Sequence, residues 1–248
     1  MKSRKERVDI LVVERGLAES RAKAQALILA GQVVVDDQRV DKPGAQVSVD
    51  AELRLKGEVL PYVSRGGLKL KAAMDRFGLD VRGRVGADIG ASTGGFTDCL
   101  LQHGAVRVHA IDVGYGQLHE KLRTDPRVRS RERVNARYLT DEDLPEKVGV
   151  AVIDVSFISL TQVLPAVLPF LEPGGLLVAL VKPQFEVGRE RIGKGGVVRD
   201  AAARQEAIDT VLAFAREQGL TVRGVMDSPV PGPAGNVEAL LVADKPTA

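Results

Sequence analysis

Cysteine and tryptophan are scarce in this 248-residue sequence, which has one cysteine, Cys99, and no tryptophan. A single cysteine excludes an internal disulfide bond and a cysteine-based metal cluster, and it is typical of a reducing compartment. No metal site is predicted. Aromatic residues make up only 4% of the chain, so a nucleic-acid surface here would depend more on shape and phosphate contacts than on extensive base stacking.

Long hydrophobic runs are also missing. None approaches the ~20 residues of a membrane-spanning helix, and the run after the basic N-terminus is interrupted by Asp9 and Glu14, unlike a secretory signal. Hydrophobic residues account for 44% of the chain and charged residues for 27%, as in folded globular proteins. We therefore expect a cytoplasmic protein with no membrane association, and we favour a monomer.

The net charge is only +2, but basic residues cluster locally. Residues 1–30 carry seven Lys or Arg against four Asp or Glu, residues 61–85 carry six against two, and residues 119–137 carry seven against three. Several basic surfaces suit a polyanion such as RNA. Any one cluster taken alone is equally typical of an ordinary solvated face.

Helix signals open the chain and strand signals follow them. An amphipathic spacing over residues 8–17 predicts one short helix, and a second is predicted over Arg21–Leu29, with Ser20 as its N-cap and Gly31 after its end. Short strand-like segments follow at 33–35, 46–49 and 52–55. We assign residues 1–58 to a small N-terminal domain, 59–63 to a linker and 64–248 to a second domain.

The second domain alternates strands with helices, which predicts an α/β doubly wound fold with a parallel sheet. The predicted strands are 84–90, 107–113, 148–155, 175–182, 220–227 and 237–243. The predicted helices are 64–77, 94–103, 159–171 and 200–218.

A glycine-rich segment lies between the first of these strands and a helix, where open α/β sheets bind nucleotides. Its glycines, Gly90, Gly94 and Gly95, have the spacing Gly-x-x-x-Gly-Gly after an acid, Asp88, and not the Gly-x-Gly-x-x-Gly spacing of a dinucleotide site. S-adenosylmethionine has no pyrophosphate and carries a cationic end that an acid can contact, so it is the predicted cofactor. A glycine-rich turn without a ligand is the alternative. The predicted contacts here are Asp88, Gly90, Ala91, Ser92, Thr93, Gly94, Gly95 and Phe96.

Asp112 ends the next predicted strand, about twenty residues further on, where a carboxylate can accept hydrogen bonds from ribose hydroxyls. Val113 beside it and Asp154 at another strand end complete the predicted cofactor site. By itself, Asp112 is equally typical of a solvent-facing strand end.

Four charged residues stand out: Lys69, Asp154, Lys182 and Glu238. Asp154 and Lys182 end apolar strands, Glu238 is placed in the last strand, and Lys69 lies in the entry helix. A charge buried alone is costly, so we expect these side chains to pair with one another. For Lys182 alone, a surface lysine is the alternative.

The start of the chain resembles the S4 RNA-binding domain. The resemblance covers about residues 6–56 and rests on 7–16, on Ser20-Arg-Ala-Lys-Ala-Gln and on Ala30-Gly-Gln-Val-Val-Val35. It implies that the two helices present basic residues to structured RNA, namely Arg4, Arg7, Arg21 and Lys23. A helix pair that serves only for docking or dimerisation is the alternative.

The second domain resembles the FtsJ-type ribose 2′-O-methyltransferases through Ser64-Arg-Gly-Gly-Leu-Lys69, the glycine-rich segment, Asp154 and Val181-Lys182-Pro183. The whole chain is similar to the TlyA (haemolysin A) family of ribosomal-RNA cytidine 2′-O-methyltransferases. That similarity implies a Rossmann-like, mostly parallel seven-stranded sheet, and a catalytic tetrad of Lys69, Asp154, Lys182 and Glu238. It implies as substrate cytidine in 16S rRNA, 23S rRNA or both, within ribosomal subunits. Thr93 departs from the proline usual in FtsJ loops but agrees with the TlyA form.

The chemistry is consistent with these residues. A ribose hydroxyl is a poor nucleophile, so the enzyme must remove a proton and align the attack. Lys182 is the candidate base, because burial and a nearby cation favour a neutral lysine. Asp154 would orient Lys182, and Glu238 would hold Lys69 or the ribose.

A glycine-rich loop over 183–198 is predicted to order on RNA, with Phe185 stacking a displaced base or else facing the core. The further RNA contacts predicted in this domain are Arg65, Arg133, Arg137, Arg189, Arg191 and Lys194.

Three alternatives remain at this stage. A catalytically silent RNA-binding or ribosome-assembly factor is the first, although an intact tetrad argues against it. A membrane-active protein is suggested by the haemolysin name of the family but not by the hydrophobicity pattern. A base methyltransferase would more naturally carry an Asn-Pro-Pro-aromatic motif where this chain has Asp154-Val-Ser-Phe157.

Overall fold

The computed structural model describes residues 4–36, 38–56, 60–193, 195–232 and 235–247. The described residues form two compact units, divided along the chain between Leu60 and Pro61. We call them the N-terminal unit and the C-terminal unit. Residue 59 of the predicted linker and Lys194 of the predicted RNA-binding loop lie outside the described residues.

The N-terminal unit packs two helices against short antiparallel strands. Ser20 caps the second helix, since its hydroxyl oxygen accepts a hydrogen bond from the backbone N–H of Lys23 at 3.3 Å. The apolar faces of both helices meet the strands around the fully buried Val8, Ala24 and Ile28. The elements are β1 (Lys5–Arg7), α1 (Val8–Glu14), α2 (Arg21–Leu29), β2 (Val33–Val35), β3 (Gln38–Arg39), β4 (Gln46–Ser48) and β5 (Leu53–Leu55).

Two small sheets complete this unit. Strand β1 pairs with β4, and β2 lies between β3 and β5, with every pair antiparallel. The predicted helix over Arg21–Leu29 is confirmed at both ends.

The C-terminal unit alternates strands and helices around one sheet. Its helices are α3 (Gly66–Phe77), α4 (Gly95–Gln102), α5 (Glu120–Arg123), α6 (Leu160–Val167), α7 (Pro183–Glu186) and α8 (Ala201–Glu217). Its strands are β6 (Val85–Ile89), β7 (Arg107–Ile111), β8 (Val128–Arg131), β9 (Val148–Ile153), β10 (Leu171–Val181), β11 (Thr221–Asp227) and β12 (Ala239–Asp244).

The seven strands lie in the order β11-β12-β10-β9-β6-β7-β8. Neighbouring strands from β10 to β8 are parallel, whereas β12 runs antiparallel to both β10 and β11. This confirms the mostly parallel, seven-stranded α/β sheet. The carboxyl ends of β7, β6, β9 and β10 share one edge with the start of β12, and that edge carries the charged residues singled out by sequence.

Apolar layers cover both faces of the sheet. One contains Ile89, Ile111 and Ile153 and packs against α6 and α8, and the other contains Val108, Val152 and Leu180 and packs against α3 and α4. Burial on both faces explains why these strands consist of continuous apolar runs.

Several predicted boundaries were wrong. The predicted helix over 159–171 ends at Val167, a 3₁₀ turn follows over Leu168–Phe170, and β10 begins at Leu171. Glu238 lies just before β12 and not within it. Strand β8 was not predicted, because Arg129, Ser130 and Arg131 are exposed and leave no apolar run to recognise.

Candidate active site

Lys182 and Asp154 form an ion pair at the ends of two neighbouring parallel strands. Lys182 follows β10 and Asp154 follows β9, and the lysine Nζ lies 2.6 Å from Oδ1 of the aspartate. The same Nζ donates a hydrogen bond to Oγ of Ser156 at 2.9 Å. Lys182 is only 8% exposed, so the pair fixes the direction in which its amine points.

Lys69 and Glu238 form a second ion pair. Lys69 lies in α3, and its Nζ donates to Oε2 of the fully buried Glu238 at 2.6 Å. The other carboxylate oxygen, Oε1, is buried and has no hydrogen-bond partner among the described residues. A β-carbon at Gly232 would lie 2.5 Å from Oε1, so the glycine makes room for this carboxylate.

The predicted tetrad is therefore brought together as two ion pairs. All four residues line one cavity of about 280 Å³, which we call the smaller cavity. Its other walls come from the start of α3, the glycine-rich segment and the turn around Val230.

The glycine-rich segment is bent in a way that requires glycine at two positions. Gly90 and Gly94 have φ of +86° and +95°, which side chains rarely adopt. A β-carbon at Gly90 would lie 2.4 Å from the carbonyl oxygen of Asp154, and one at Gly94 would lie 2.2 Å from Leu122. Gly94 packs inward, whereas the other predicted contacts of this segment line the smaller cavity: Asp88, Gly90, Ala91, Ser92, Thr93, Gly95 and Phe96.

Asp88 is buried, and within the described residues only one of its two carboxylate oxygens accepts hydrogen bonds. Oδ2 accepts hydrogen bonds from the backbone N–H and the hydroxyl of Thr97 at 2.8 and 2.7 Å. Oδ1 is buried and has no partner among the described residues. Burial raises the pKa of Asp88 to about 7, against the hydrogen bonds from Thr97 that lower it. A buried, unpaired acceptor on a cavity wall fits a cationic ligand group.

Asp112 is held rigidly at the end of β7. Its Oδ2 accepts from the N–H of Ser92 at 2.8 Å, and its Oδ1 accepts from the N–H of Gly114 at 2.6 Å. Each oxygen keeps a free lone pair for a ligand hydroxyl. Asp112 and Val113 line a cavity of about 630 Å³, the larger cavity.

The larger cavity is bounded by residues that the sequence did not single out. Val134, Asn135 and Ala136 follow β8 and form one wall, and Ile158 and Gln162 contribute to another. Only their position could have indicated residues 134–136, because they follow a strand that ends at the site edge. That strand, β8, was not predicted. The two cavities share Gly90, Ser92, Asp154 and Ser156, so a ligand can reach from one into the other.

Phe157 is a second site residue that the sequence did not indicate. It is 90% exposed, has φ of +65° and follows Ser156 directly. Its ring lies 5.1 Å from that of Phe185, with an interplanar angle of 49°. An exposed phenylalanine in a strained conformation costs free energy and is typical of a functional position.

The turn that carries Phe185 is tied to the Phe157 segment. Glu186 accepts hydrogen bonds from the hydroxyl of Ser159 at 2.5 Å and from the N–H of Leu160 at 2.9 Å. Burial raises the pKa of Glu186 against both of these bonds.

Comparison with known proteins assigns the family. Residues 62–245 match the FtsJ-like methyltransferase family, and residues 6–53 match the S4 domain. The chain belongs to the FtsJ-like methyltransferase family. TlyA from Mycobacterium tuberculosis, described as a 16S/23S rRNA (cytidine-2′-O)-methyltransferase, is 48% identical over 240 residues, covering 96% of this chain and 90% of that protein.

Solved structures of other proteins are similar to this chain as well. A Streptococcus thermophilus protein described as a candidate hemolysin is 50% identical, covers 99% of this chain and 90% of that chain, and superposes with a TM-score of 0.77. The N-methyltransferase NodS from Bradyrhizobium japonicum, in complex with S-adenosyl-L-homocysteine, is 19% identical and covers 73% of this chain and 86% of that chain, with a TM-score of 0.52. The second likeness concerns the fold alone.

Two of the basic residues predicted in the N-terminal unit of this FtsJ-like methyltransferase are engaged internally. Arg7 makes two hydrogen bonds of 2.9 Å to the fully buried Asp9, and Arg21 makes one of 3.0 Å. Arg7 holds the pKa of Asp9 well below its usual range. Arg4 approaches Glu6 at 3.8 Å, and Lys23 is exposed.

The basic residues predicted in the C-terminal unit of this methyltransferase differ in their surroundings. Arg65 lines the smaller cavity. Arg133 and Arg137 lie over exposed tyrosine rings, at 4.5 Å from the Tyr115 centroid and 5.6 Å from the Tyr138 centroid. Arg191 pairs with Glu206 of α8. The backbone of Arg189 belongs to a short 3₁₀ turn, Arg189–Arg191.

Within the described residues, no helix combines the length and hydrophobicity needed to cross a membrane. No group of His, Cys, Asp and Glu side chains among them is arranged to hold a metal ion.

Proposed function

We propose that this protein transfers a methyl group from S-adenosylmethionine to the ribose 2′-oxygen of cytidine in ribosomal RNA, in the 16S rRNA, the 23S rRNA or both. The observation that carries the proposal is the pairing of Lys182 with Asp154 beside the pairing of Lys69 with Glu238, all in one cavity. The 48% identity to TlyA supports the choice of substrate.

The residues present fit the cofactor. Asp88 offers its cationic amino acid end a carboxylate oxygen that has no partner in the part of the chain that the structure describes, and Asp112 offers two fixed oxygens to its ribose hydroxyls. Asn135 and Ala136 line the part of the larger cavity that would hold the adenine. When bound, S-adenosylmethionine supplies a methyl group already activated on a sulfonium cation.

Lys182 acts as the base in this proposal. A lysine ammonium has three N–H donors, and two of them are directed to Asp154 and Ser156. Loss of the third proton leaves a lone pair available to the cavity while both hydrogen bonds remain. The lone pair can then accept the proton that the ribose 2′-hydroxyl gives up.

Lys69 and Glu238 position the substrate. Oε1 of Glu238 has no hydrogen-bond partner among the described residues, and Glu238 belongs to the cavity wall, so this oxygen can accept a hydrogen bond from a ribose hydroxyl. Lys69 neutralises the buried carboxylate, which would otherwise be costly to keep charged.

Phe157 and Phe185 provide a small stacking surface next to the catalytic pair. A target ribose in structured RNA is accessible to Lys182 only if its nucleotide leaves the stack. The exposed ring of Phe157 can then support the displaced base.

We also propose a role for each of the two units. Residues 1–58 would dock ribosomal RNA, 59–63 would link, and 64–248 would carry out methyl transfer in the cytoplasm, where ribosomal subunits are found. No metal takes part in the proposed reaction.

The test uses ribosomal subunits that lack the modification. Small and large subunits are incubated separately with the full-length protein and methyl-labelled S-adenosylmethionine, and 2′-O-methyl groups are mapped by resistance to alkaline cleavage. We expect label at cytidine riboses in at least one subunit. Label on a base, or no transfer to either subunit, would overturn the proposal.

A further inference from the structure

Strand β8 forms one edge of the large sheet, and a cavity of about 290 Å³ lies beside it. We call this cavity the β8 hollow. It is separate from the two cavities described above, and its lining is basic. The lining residues are Arg107, His109, Val128, Arg129, Ser130, Arg131, Pro145 and Glu146.

The pairing of β7 with β8 explains how the arginines reach the hollow. His109 pairs with Arg129 and Ile111 pairs with Arg131, and side chains two residues apart on a strand share a face. Arg129 and Arg131 therefore lie on one face of the strand, about 7 Å apart. Ile111, the partner of Arg131, also lines the larger cavity, so the row of arginines leads towards the proposed active site.

On the inner wall of the β8 hollow, the charge of Glu146 is already balanced by hydrogen-bonded neighbours. Oε1 of Glu146 accepts hydrogen bonds from NH1 of Arg107 and from Nε2 of His109, both at 2.8 Å. Burial opposes ionisation of Glu146, but these two partners prevail and hold its pKa below the ordinary value. The single carboxylate of the hollow is thus engaged away from the outer arginines.

Arg129 and Arg131 lack such a partner. Both are exposed, and neither forms an ion pair with a carboxylate among the described residues. Within the described ranges, Arg129 donates to the backbone carbonyls of Pro126 and Val128 alone. By contrast, the nearby Arg123 and Arg127 pair with Glu120 and Asp125.

We propose that the β8 hollow binds the phosphodiester backbone of the RNA substrate, with Arg129 and Arg131 each contacting one phosphate. A row of cations repeated along a strand matches a polymer with repeated negative charge, and the guanidinium group suits phosphate oxygens. Among the described residues, no Phe, Tyr or Trp lines the hollow, and the ring of His109 is only 3% exposed, so the hollow lacks a stacking surface for the base of a free nucleotide. The inference rests on the proposed function and adds a second contact to it, outside the catalytic pocket.

The experiment measures binding without methyl transfer. The full-length protein and its R129Q/R131Q variant are titrated with unmodified ribosomal subunits over a series of salt concentrations. Each phosphate contact contributes about 0.7 to 0.9 to the slope of log K against log salt. We therefore expect the slope of the double variant to be smaller in magnitude by roughly 1.4 to 1.8.

The matched control is R123Q/R127Q, which removes two arginines of the same surface region that already have carboxylate partners. We expect its slope to equal that of the unchanged protein. Binding of S-adenosylmethionine should be unaffected in both variants, which shows that the sheet is intact. If the double variant loses binding of S-adenosylmethionine, R131Q alone is tested in its place. Its slope should be smaller in magnitude than that of the unchanged protein by about 0.7 to 0.9.

An unchanged slope in R129Q/R131Q, or an equal loss in the control, would overturn the inference. Neither result bears on the proposed function, which fails only if the unchanged protein does not methylate ribose. A slope change without any methyl transfer would instead retain the hollow as an RNA site and reject the proposed reaction.

Discussion

Nζ of Lys182 and Oδ1 of Asp154 lie 2.6 Å apart, although 27 residues separate Lys182 and Asp154 along the chain. They meet because each residue directly follows one of two adjacent parallel strands. Their separation is therefore determined by the register of β9 and β10. A β-sheet is a rigid support, so the amine of Lys182 is held in place before the substrate binds.

The first prediction concerns the base. Lys182→Met removes the amine but keeps an unbranched apolar stem, so transfer to ribose should fall by about 10²- to 10⁴-fold. Binding of S-adenosylmethionine should persist. Single-turnover transfer of labelled methyl groups measures the first effect, and isothermal titration measures the second. Lys71→Met is the control, because Lys71 is on the same helix as Lys69 but pairs with Asp75 at the surface. Equal activity in the two variants would reject Lys182 as the base.

The second prediction concerns the buried pair of Lys69 and Glu238. Glu238→Ala leaves an uncompensated lysine that is 7% exposed, and breaking such a pair costs roughly 3–5 kcal/mol of unfolding free energy. Replacing both residues, as in K69M/E238L, should cost less than this single change, because no charge then remains buried. Urea unfolding followed by circular dichroism measures both.

The exposed pair of Lys71 and Asp75 gives the comparison for that measurement. K71A/D75A should change stability by less than about 1 kcal/mol. If Glu238→Ala were no more destabilising than this surface variant, the pair would not be buried as described.

The third prediction follows from the protonation of Asp88. Its pKa is raised from the usual 3.8 to about 7, so between these values the native state holds a proton that the unfolded state has released. Stability from this group therefore falls as pH rises from about 4 to about 7, by on the order of 4 kcal/mol. The pKa values of Asp9 and Glu146 shift in the opposite direction, so the effect of Asp88 must be isolated by comparison with Asp88→Asn.

Urea unfolding of both proteins at several pH values provides that comparison. The stability of the unchanged protein relative to Asp88→Asn should decrease across this interval and level off above it. A difference that does not vary with pH would show that Asp88 is ionised throughout.

The fourth prediction concerns Phe157. Its replacement by Ala should weaken binding of ribosomal subunits by roughly 1–3 kcal/mol, the typical value of one base stacked on an aromatic ring. Phe157→Tyr should retain binding. Phe157→Asn separates stacking from backbone strain, since Asn tolerates the left-handed conformation but offers no ring. If the Asn variant bound as well as the Tyr variant, the ring would have no part in recognition.

Much of the site could be predicted because its residues lie at the ends of strongly apolar strands. Asp88, Asp112, Asp154 and Lys182 each follow or end such a run, and parallel strands bring their carboxyl ends to one edge. The pairing of Lys182 with Asp154 and of Lys69 with Glu238 also agrees with the cost of isolated buried charge.

The features that were missed lack a local signal. Strand β8 has three exposed polar residues and is fixed by its pairing with β7. The conformation of Phe157 depends on the loop between β9 and α6, not on its own preference. The bond from Arg21 of α2 to Asp9 of α1 arises from tertiary packing of the two N-terminal helices, and it could not be read from spacing.

The antiparallel direction of β12 has a consequence for the order of assembly. Its start, not its end, meets the site edge, and the pairing of Ala239 with Val181 places Glu238 beside the end of β10. Among the described residues, β12 is the last strand along the chain, and it is inserted between two earlier ones, β10 and β11. A chain still being translated therefore contains the glycine-rich segment and Lys182 but has no counter-ion for Lys69. Under the proposed mechanism, methyl transfer therefore requires a chain that has been synthesised and folded through β12.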